Sequence, residues 1–366
     1  MVDGCHKYRQ FIKVTHLLTW YTSPSLSSFP GFSTYTCQPV MRVDTNTLSY
    51  WLNWRFFLCA LGVFTSMVAA TMVIWKYESS ATSKTHRQGN EQQTVGHLYR
   101  DEAWRTCSKS IDPAWLLAIR MVAFIVLLTL LSFDIFIDGG GIFFYYTSWT
   151  FALVTLYFGI GSLFSIYGCF YCCNEVDSDR VDIANSDMER STYMTPTFAE
   201  NADLSDITKN LVNRDELSVG KSADIWGFIF QVTFQICAGA VMLTDIIYWF
   251  VLYPFFTPKD HELNFLEVSM HSLNFVFLIA DIILNRLRFP FFRIAYFVQF
   301  TCIYVIFQWT IHACVSMKWP YQYLDLSSPY APIWYLATGL VQLPGYSIIF
   351  LIVQTKHVCL SRLSFC

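Results

Sequence analysis

Six polar residues recur along one apolar stretch of the chain: Asn264, Glu267, His271, Asn274, Asp281 and Asn285, at spacings of 3, 4, 3, 7 and 4. At about 100° per residue they fall within one helical stripe about 100° wide. Glu267 stands one turn before His271, and a carboxylate beside an imidazole fixes its tautomer and makes it a better base. Ionisable groups inside apolar spans cost about 2.5–3.5 kcal/mol on insertion scales, so each is a candidate for function. A polar stripe of this length lines a cavity or binds another helix. The plainer reading is that amides, hydroxyls and imidazoles join helices through hydrogen bonds worth about 0.6–2 kcal/mol each.

Other apolar stretches carry matching faces. Gln231, Gln235 and Asp245 share a side, as do Thr301, Gln308 and His312, then Tyr335, Thr338 and Gln342, and finally Thr147, Thr150 and Tyr157. Spacing leaves open whether Glu267 or Asp245 partners His271. The reactive side chains that these faces offer include His271, Asp245, His312 and Thr147, with Glu267 and Asn274 on the stripe of His271. Asp281 and Asn285 lie toward the other end of their stretch and are expected to be separate from this group. No metal-type CxxC pairing, HExxH helix, GxSxG elbow, Walker loop or GxGxxG turn occurs, so neither a metal nor a cofactor is expected.

Composition dictates what must hold these side chains. Of the 366 residues, 54% are apolar, 18% aromatic and only 14% charged, with 33 Phe. A soluble domain is about 25% charged. The net charge of −3 offers no basic face, so a nucleic-acid partner is excluded and membrane lipids are the expected surroundings. About 20 apolar residues cross the hydrocarbon. Seven stretches qualify, near 56–75, 114–133, 147–172, 225–253, 264–284, 291–316 and 331–354. They are far too long for barrel strands. The sequence therefore predicts an all-α, polytopic membrane bundle of about seven helices. Pro344 and Gly345 are positioned to interrupt the seventh stretch.

Loop charges predict the orientation. Sixteen Lys and Arg lie in the loops after the first, third and fifth spans and in the C-terminal tail, against two (Lys259 and Lys318) in the opposite loops. The tail is thus expected in the cytosol and the N-terminus outside or in a lumen, in the endoplasmic reticulum or plasma membrane. With that orientation His271 lies about 10 Å below the non-cytosolic surface. In this reading Asp245, His312 and Thr147 share its leaflet. Residues 1–45 read as a poorly ordered extension, 46–173 as spans one to three, 225–355 as spans four to seven and 356–366 as the tail. The stretch 174–224 holds 12 Asp/Glu against 5 Lys/Arg and reads as a disordered cytosolic loop. The 12 Cys sit mostly in or beside apolar runs, Cys314 among them, and read as small apolar helix residues. Acylation of Cys169, Cys172 and Cys173 is the alternative.

Four runs, FYYTSWTFALVTLYFGIGSLFSIYGC, WGFIFQVTFQICAGAVMLTDIIYWFVLYPF, MHSLNFVFLIADIILNRLRFPFFRIAYF and FQWTIHACVSMKWPYQYLDLSSPYAPIWYL, give residues 46–355 a resemblance to a group of plant multi-span membrane proteins. The chain is more distantly similar to the fusion protein rolling stone. More distantly still it resembles the androgen-induced and androgen-dependent TFPI-regulating family, membrane hydrolases that cleave fatty acid esters of hydroxy fatty acids. That last resemblance rests on Phe158-Gly159-Ile160 downstream of Thr147, on Met270-His271 ahead of Arg286 and Arg288, and loosely on Trp309, His312 and Trp319-Pro320. It covers spans two to seven and so implies a six-helix core with one added N-terminal helix, Thr147 as nucleophile, His271 as base and a fatty acyl ester as substrate. A receptor-like or adhesion protein without enzymatic activity, or a transporter, is the alternative.

Overall fold

The computed structural model describes residues 47–85, 100–108, 111–190, 225–256, 265–315 and 319–363. The extension 1–45, Asn264, Lys259 and Lys318 lie outside them. The described residues form helices α1 (Leu48–Trp51), α2 (Trp54–Thr85), α3 (Pro113–Asp138), α4 (Tyr146–Arg190) and α5 (Ile225–Ile247). There follow α6 (Tyr253–Phe256), α7 (Phe265–Met270), α8 (Leu273–Leu284), α9 (Ile294–Cys314) and α10 (Ala331–Leu363). Seven spans among the described residues are long and apolar enough to cross a membrane, and they coincide with the seven predicted stretches. The protein is an all-α, integral membrane helix bundle.

Local chemistry sets several boundaries. Asp112 accepts a hydrogen bond from Ala114 N at 2.8 Å, and Pro113 opens α3 where its missing N–H costs nothing. Gly139 closes the same helix at φ 69°, a conformation that favours glycine. Gly139, Gly140 and Gly141 are wound into a 3-10 turn ending at Phe144. Helix α4 does not stop where the acidic loop was expected to begin but runs on to Arg190; residues 191–224 lie outside the described set. Pro344 does not interrupt α10, which continues to Leu363. A proline removes one ladder bond, which neighbouring turns of a spanning helix absorb.

The chain divides into two compact units, with boundaries inside α2, α9 and α10. The first comprises described residues 47–66 and 302–339. Trp319 Nε1 donates to Tyr50 Oη at 3.1 Å, Tyr50 donates to Asp325 Oδ1 at 3.1 Å, and Arg55 Nη1 donates to Ser327 O at 2.6 Å. Burial and the Asp325 carboxylate raise the Tyr50 phenol above its usual range. Trp309 Nε1 donates to Tyr335 Oη at 2.9 Å.

The second unit comprises described residues 67–301 and 340–363. Here α3, α4, α5 and α8 pack together around Phe151, Phe158, Phe230, Phe234 and Leu278, all fully buried. Helix α5 turns Cys237, Ala238, Gly239 and Ala240 inward, and small residues let helices approach closely. A Cβ on Gly239 would stand 2.5 Å from Phe297 Cδ1, so this crossing requires glycine. Polarity is inverted relative to a soluble protein. Leu156, Leu163, Phe170, Val276 and Ile283 are exposed, whereas Arg120, Asp281, Arg293 and Gln235 are fully buried. Only a hydrocarbon surround favours that distribution.

Candidate functional site

His271 occupies the turn where the fifth span breaks into α7 and α8. The hydrogen-bond ladder shows how the break is held. Phe275 N, whose helical acceptor would be His271 O, donates instead to the side chain of the preceding residue, Asn274 Oδ1, at 2.9 Å. The carbonyl left over at His271 receives Trp249 Nε1 at 3.1 Å. Both groups are therefore satisfied, as backbone buried in a bundle must be. Asn274, expected to support the chemistry, is buried and serves the break itself.

Trp249 belongs to a second irregularity. Residues Tyr248–Leu252 form a π-helical turn directly after α5, and such turns are frequent at functional sites. The turn delivers two side chains to His271. Tyr248 lies flat against the imidazole, ring centroids 3.7 Å apart and planes within 6°, while Trp249 takes the carbonyl. One turn earlier, Asp245 Oδ1 lies 3.9 Å from His271 Nδ1. Both side chains retain some exposure, 14% for Asp245 and 10% for His271. Nδ1 makes no hydrogen bond at that distance. The geometry is that of a poised carboxylate–imidazole pair, one short movement from contact. Of the two carboxylates that spacing offers, Asp245 is the one described beside Nδ1, and Glu267 contributes its backbone oxygen to His271 N at 3.1 Å.

Thr147 lies half-buried in the first turn of α4, and His271's described side-chain partners are Asp245 and Tyr248. Thr150, one turn on, is fully buried and its hydroxyl lacks a described partner. His312 belongs to the first unit, where its ring stacks on Trp319 at 3.8 Å and its Nδ1 faces Gln308 O at 2.8 Å. No cluster of three His, Cys, Asp or Glu suited to a metal ion occurs among the described residues.

Asp281 and Asn285 serve a different centre, whose cation the sequence reading passed over. Arg120, fully buried in α3, donates from Nε to Asp281 Oδ1 at 2.7 Å. Its Nη1 reaches Ala103 O at 2.8 Å and Ser165 Oγ at 2.9 Å. Tyr157 donates to Asp281 Oδ2 at 2.5 Å and Asn285 Nδ2 to the same oxygen at 2.8 Å. Phe230 faces the guanidinium at 5.3 Å and stacks on Tyr157 at 4.9 Å. A second buried arginine, Arg293, donates to Glu78 Oε1 at 2.8 Å and to Gln231 Oε1. One arginine in an otherwise apolar run was the available signal, together with Asp281 on the facing stripe.

Comparison with protein-family models, with curated proteins and with solved structures finds no match.

Proposed function

We propose that the protein is a membrane lipid-ester hydrolase in which His271 is the general base, Asp245 its partner and Thr147 the nucleophile. The observation that carries the reading is the Asp245–His271 pair at 3.9 Å, held at the meeting of a helix break and a π turn. The nucleophile and the substrate class rest on the sequence resemblance. A threonine hydroxyl is a weak nucleophile and needs a base within reach. In the proposed cycle the threonine proton passes to the imidazole as Oγ attacks the ester carbonyl. The imidazolium returns it to the departing alkoxide, leaving an acyl-threonine and a free alcohol. Water then attacks the acyl group, its proton again passing through His271, and the fatty acid leaves. Asp245 stabilises the imidazolium and holds Nδ1, which assigns Nε2 to the reaction. Hydrogen bonds of this kind are often long before substrate binds.

The test is labelling by a fluorophosphonate probe, which reacts with activated hydroxyls. The wild type is labelled and Thr147→Ala is not; Thr150→Ala retains labelling. Equal labelling of wild type and Thr147→Ala sinks the assignment, and a wild type that is not labelled favours a protein without enzymatic activity.

We place the N-terminus on the non-cytosolic side and the tail in the cytosol. The loop charges support this, and so does Cys314 at the end of α9, which is disulfide-bonded rather than a plain apolar helix residue. Disulfides persist in oxidising compartments, and the charge distribution puts that end outside the cytosol. An N-x-S acceptor inserted between the fourth and fifth spans is expected to be glycosylated in microsomes, and one inserted between the first and second is not. The reverse pattern would invert the topology.

A further inference from the structure

The chain between the first two spans does not stay outside the bundle. A 3-10 turn, Arg100–Ala103, leads into an irregular stretch through Ser108, and this strap folds back into the basic end of the second unit. Glu102 and Ala103 are buried. Ala103 O accepts from Arg120 Nη1 at 2.8 Å. Arg120 stands seven residues, about 10 Å, inside α3. Glu102 Oε1 accepts from Arg288 Nε at 2.8 Å, and Thr106 forms an antiparallel bridge with Asn285. The Trp104 indole covers Gly168 of α4 so closely that a Cβ there would fall inside it, and it lies against Tyr167 at 6.3 Å.

A helix leaves its last four carbonyls without partners of its own, and those of α8 show what the strap does. Asp281 O receives Asn285 N and Ile282 O receives Lys356 Nζ, both at 2.8 Å. Ile283 O receives Cys107 Sγ at 3.2 Å, and Leu284 O receives Cys107 N at 2.8 Å. The strap therefore caps two of the four carbonyls and gives Arg120 one of its acceptors. Lifting it strips Ile283 O, Leu284 O and Arg120 Nη1 of a partner at once, and water is what replaces them at that end. Arg120 Nη2 already lacks a partner among the described residues, so incoming water meets a waiting donor. Unseating the strap and wetting the core are one event. The strap is held by a described ion pair, an indole and backbone bonds, and it belongs to no spanning helix, so it moves without unwinding one. We propose that residues 100–108 are a re-entrant plug. Seated, it keeps the basic end of the core of α3, α4, α5 and α8 dry; displaced, it opens the Arg120–Asp281 centre to water.

The test uses the full chain in detergent carrying Ser165→Cys, because Ser165 is buried and its Oγ accepts from Arg120 Nη1 at 2.9 Å. Modification by the water-soluble reagent 2-(trimethylammonium)ethyl methanethiosulfonate is followed by peptide mass spectrometry at position 165, with the exposed Cys359 as the reference thiol. With the strap seated, position 165 is expected to react at least about a hundredfold more slowly than Cys359. Adding Gly168→Ala drives a methyl into Trp104 and is expected to raise the rate at position 165 about tenfold. Trp104→Ala, which removes the indole without a clash, raises it as well. Gly239→Ala sets the same kind of wedge against Phe297 and leaves position 165 slow. Reaction at position 165 as fast as at Cys359 in Ser165→Cys alone overturns the plug. An unchanged rate in both strap variants overturns it too. Equal acceleration by Gly239→Ala shows general loosening of the bundle and likewise overturns it.

Discussion

Asp281→Ala is expected to destabilise the protein by about 3–5 kcal/mol, the range for breaking one half of a buried ion pair. The carboxylate accepts from Arg120 at 2.7 Å, Tyr157 at 2.5 Å and Asn285 at 2.8 Å, and all four side chains are buried in a bundle surrounded by lipid. Its removal leaves a guanidinium with neutral partners only, Ala103 O, Ser165 Oγ and a longer contact to Gly161 O at 3.3 Å. Asp281 is the one carboxylate described against this guanidinium. The decisive comparison is with Arg120→Met/Asp281→Leu. Removing both charges abolishes the desolvation problem, so the double variant should be more stable than Asp281→Ala, despite losing the partners of Tyr157 and Asn285. Thermal midpoints in one detergent, or the fraction of protein recovered folded from membranes, report the order. A loss below about 1 kcal/mol for Asp281→Ala would mean that the interior is wetter than its packing implies.

The contrast between this centre and the seven spans shows what a sequence of this kind reveals. Spans are written in long apolar runs because the hydrocarbon demands it at every position, and those runs predicted all seven. The polar stripe through His271 and Asp281 was legible for a related reason, since a polar residue in an apolar run stands out. Arg120 was missed because one charge among so many apolar neighbours scarcely alters the run, and its partner lies 161 residues away. The break at His271 was hidden more deeply. No glycine or proline marks it; it depends on Asn274 receiving a backbone N–H from the next residue and on Trp249, 22 residues back, reaching the freed carbonyl. One local side-chain bond and one tertiary bond make the irregularity, and neither has a recognisable sequence signature. The periodic stripe drawn through residues 264–285 thus assumed one continuous helix where the protein has two.

His271→Ala is expected to lower the turnover of a fatty acid ester of a hydroxy fatty acid by a factor of about 10²–10⁴, the usual contribution of a positioned general base. The thermal midpoint should move little. The imidazole is only partly buried, its Nδ1 makes no hydrogen bond, and the backbone bond from Trp249 goes to its carbonyl, which alanine retains. The loss should fall on kcat rather than KM, because the base acts in the transition state and does not hold the acyl chains. Asp245→Ala should cost less than His271→Ala, since the carboxylate acts through the imidazole from 3.9 Å. Combining the two separates a positioning role from an independent one. If Asp245 works only through His271, the double variant is no slower than His271→Ala alone, whereas independent contributions multiply. Glu267→Gln should leave the rate near wild type, because its described bond to His271 runs through the backbone oxygen. Full turnover in His271→Ala would remove the base from the proposed cycle and the hydrolase reading with it.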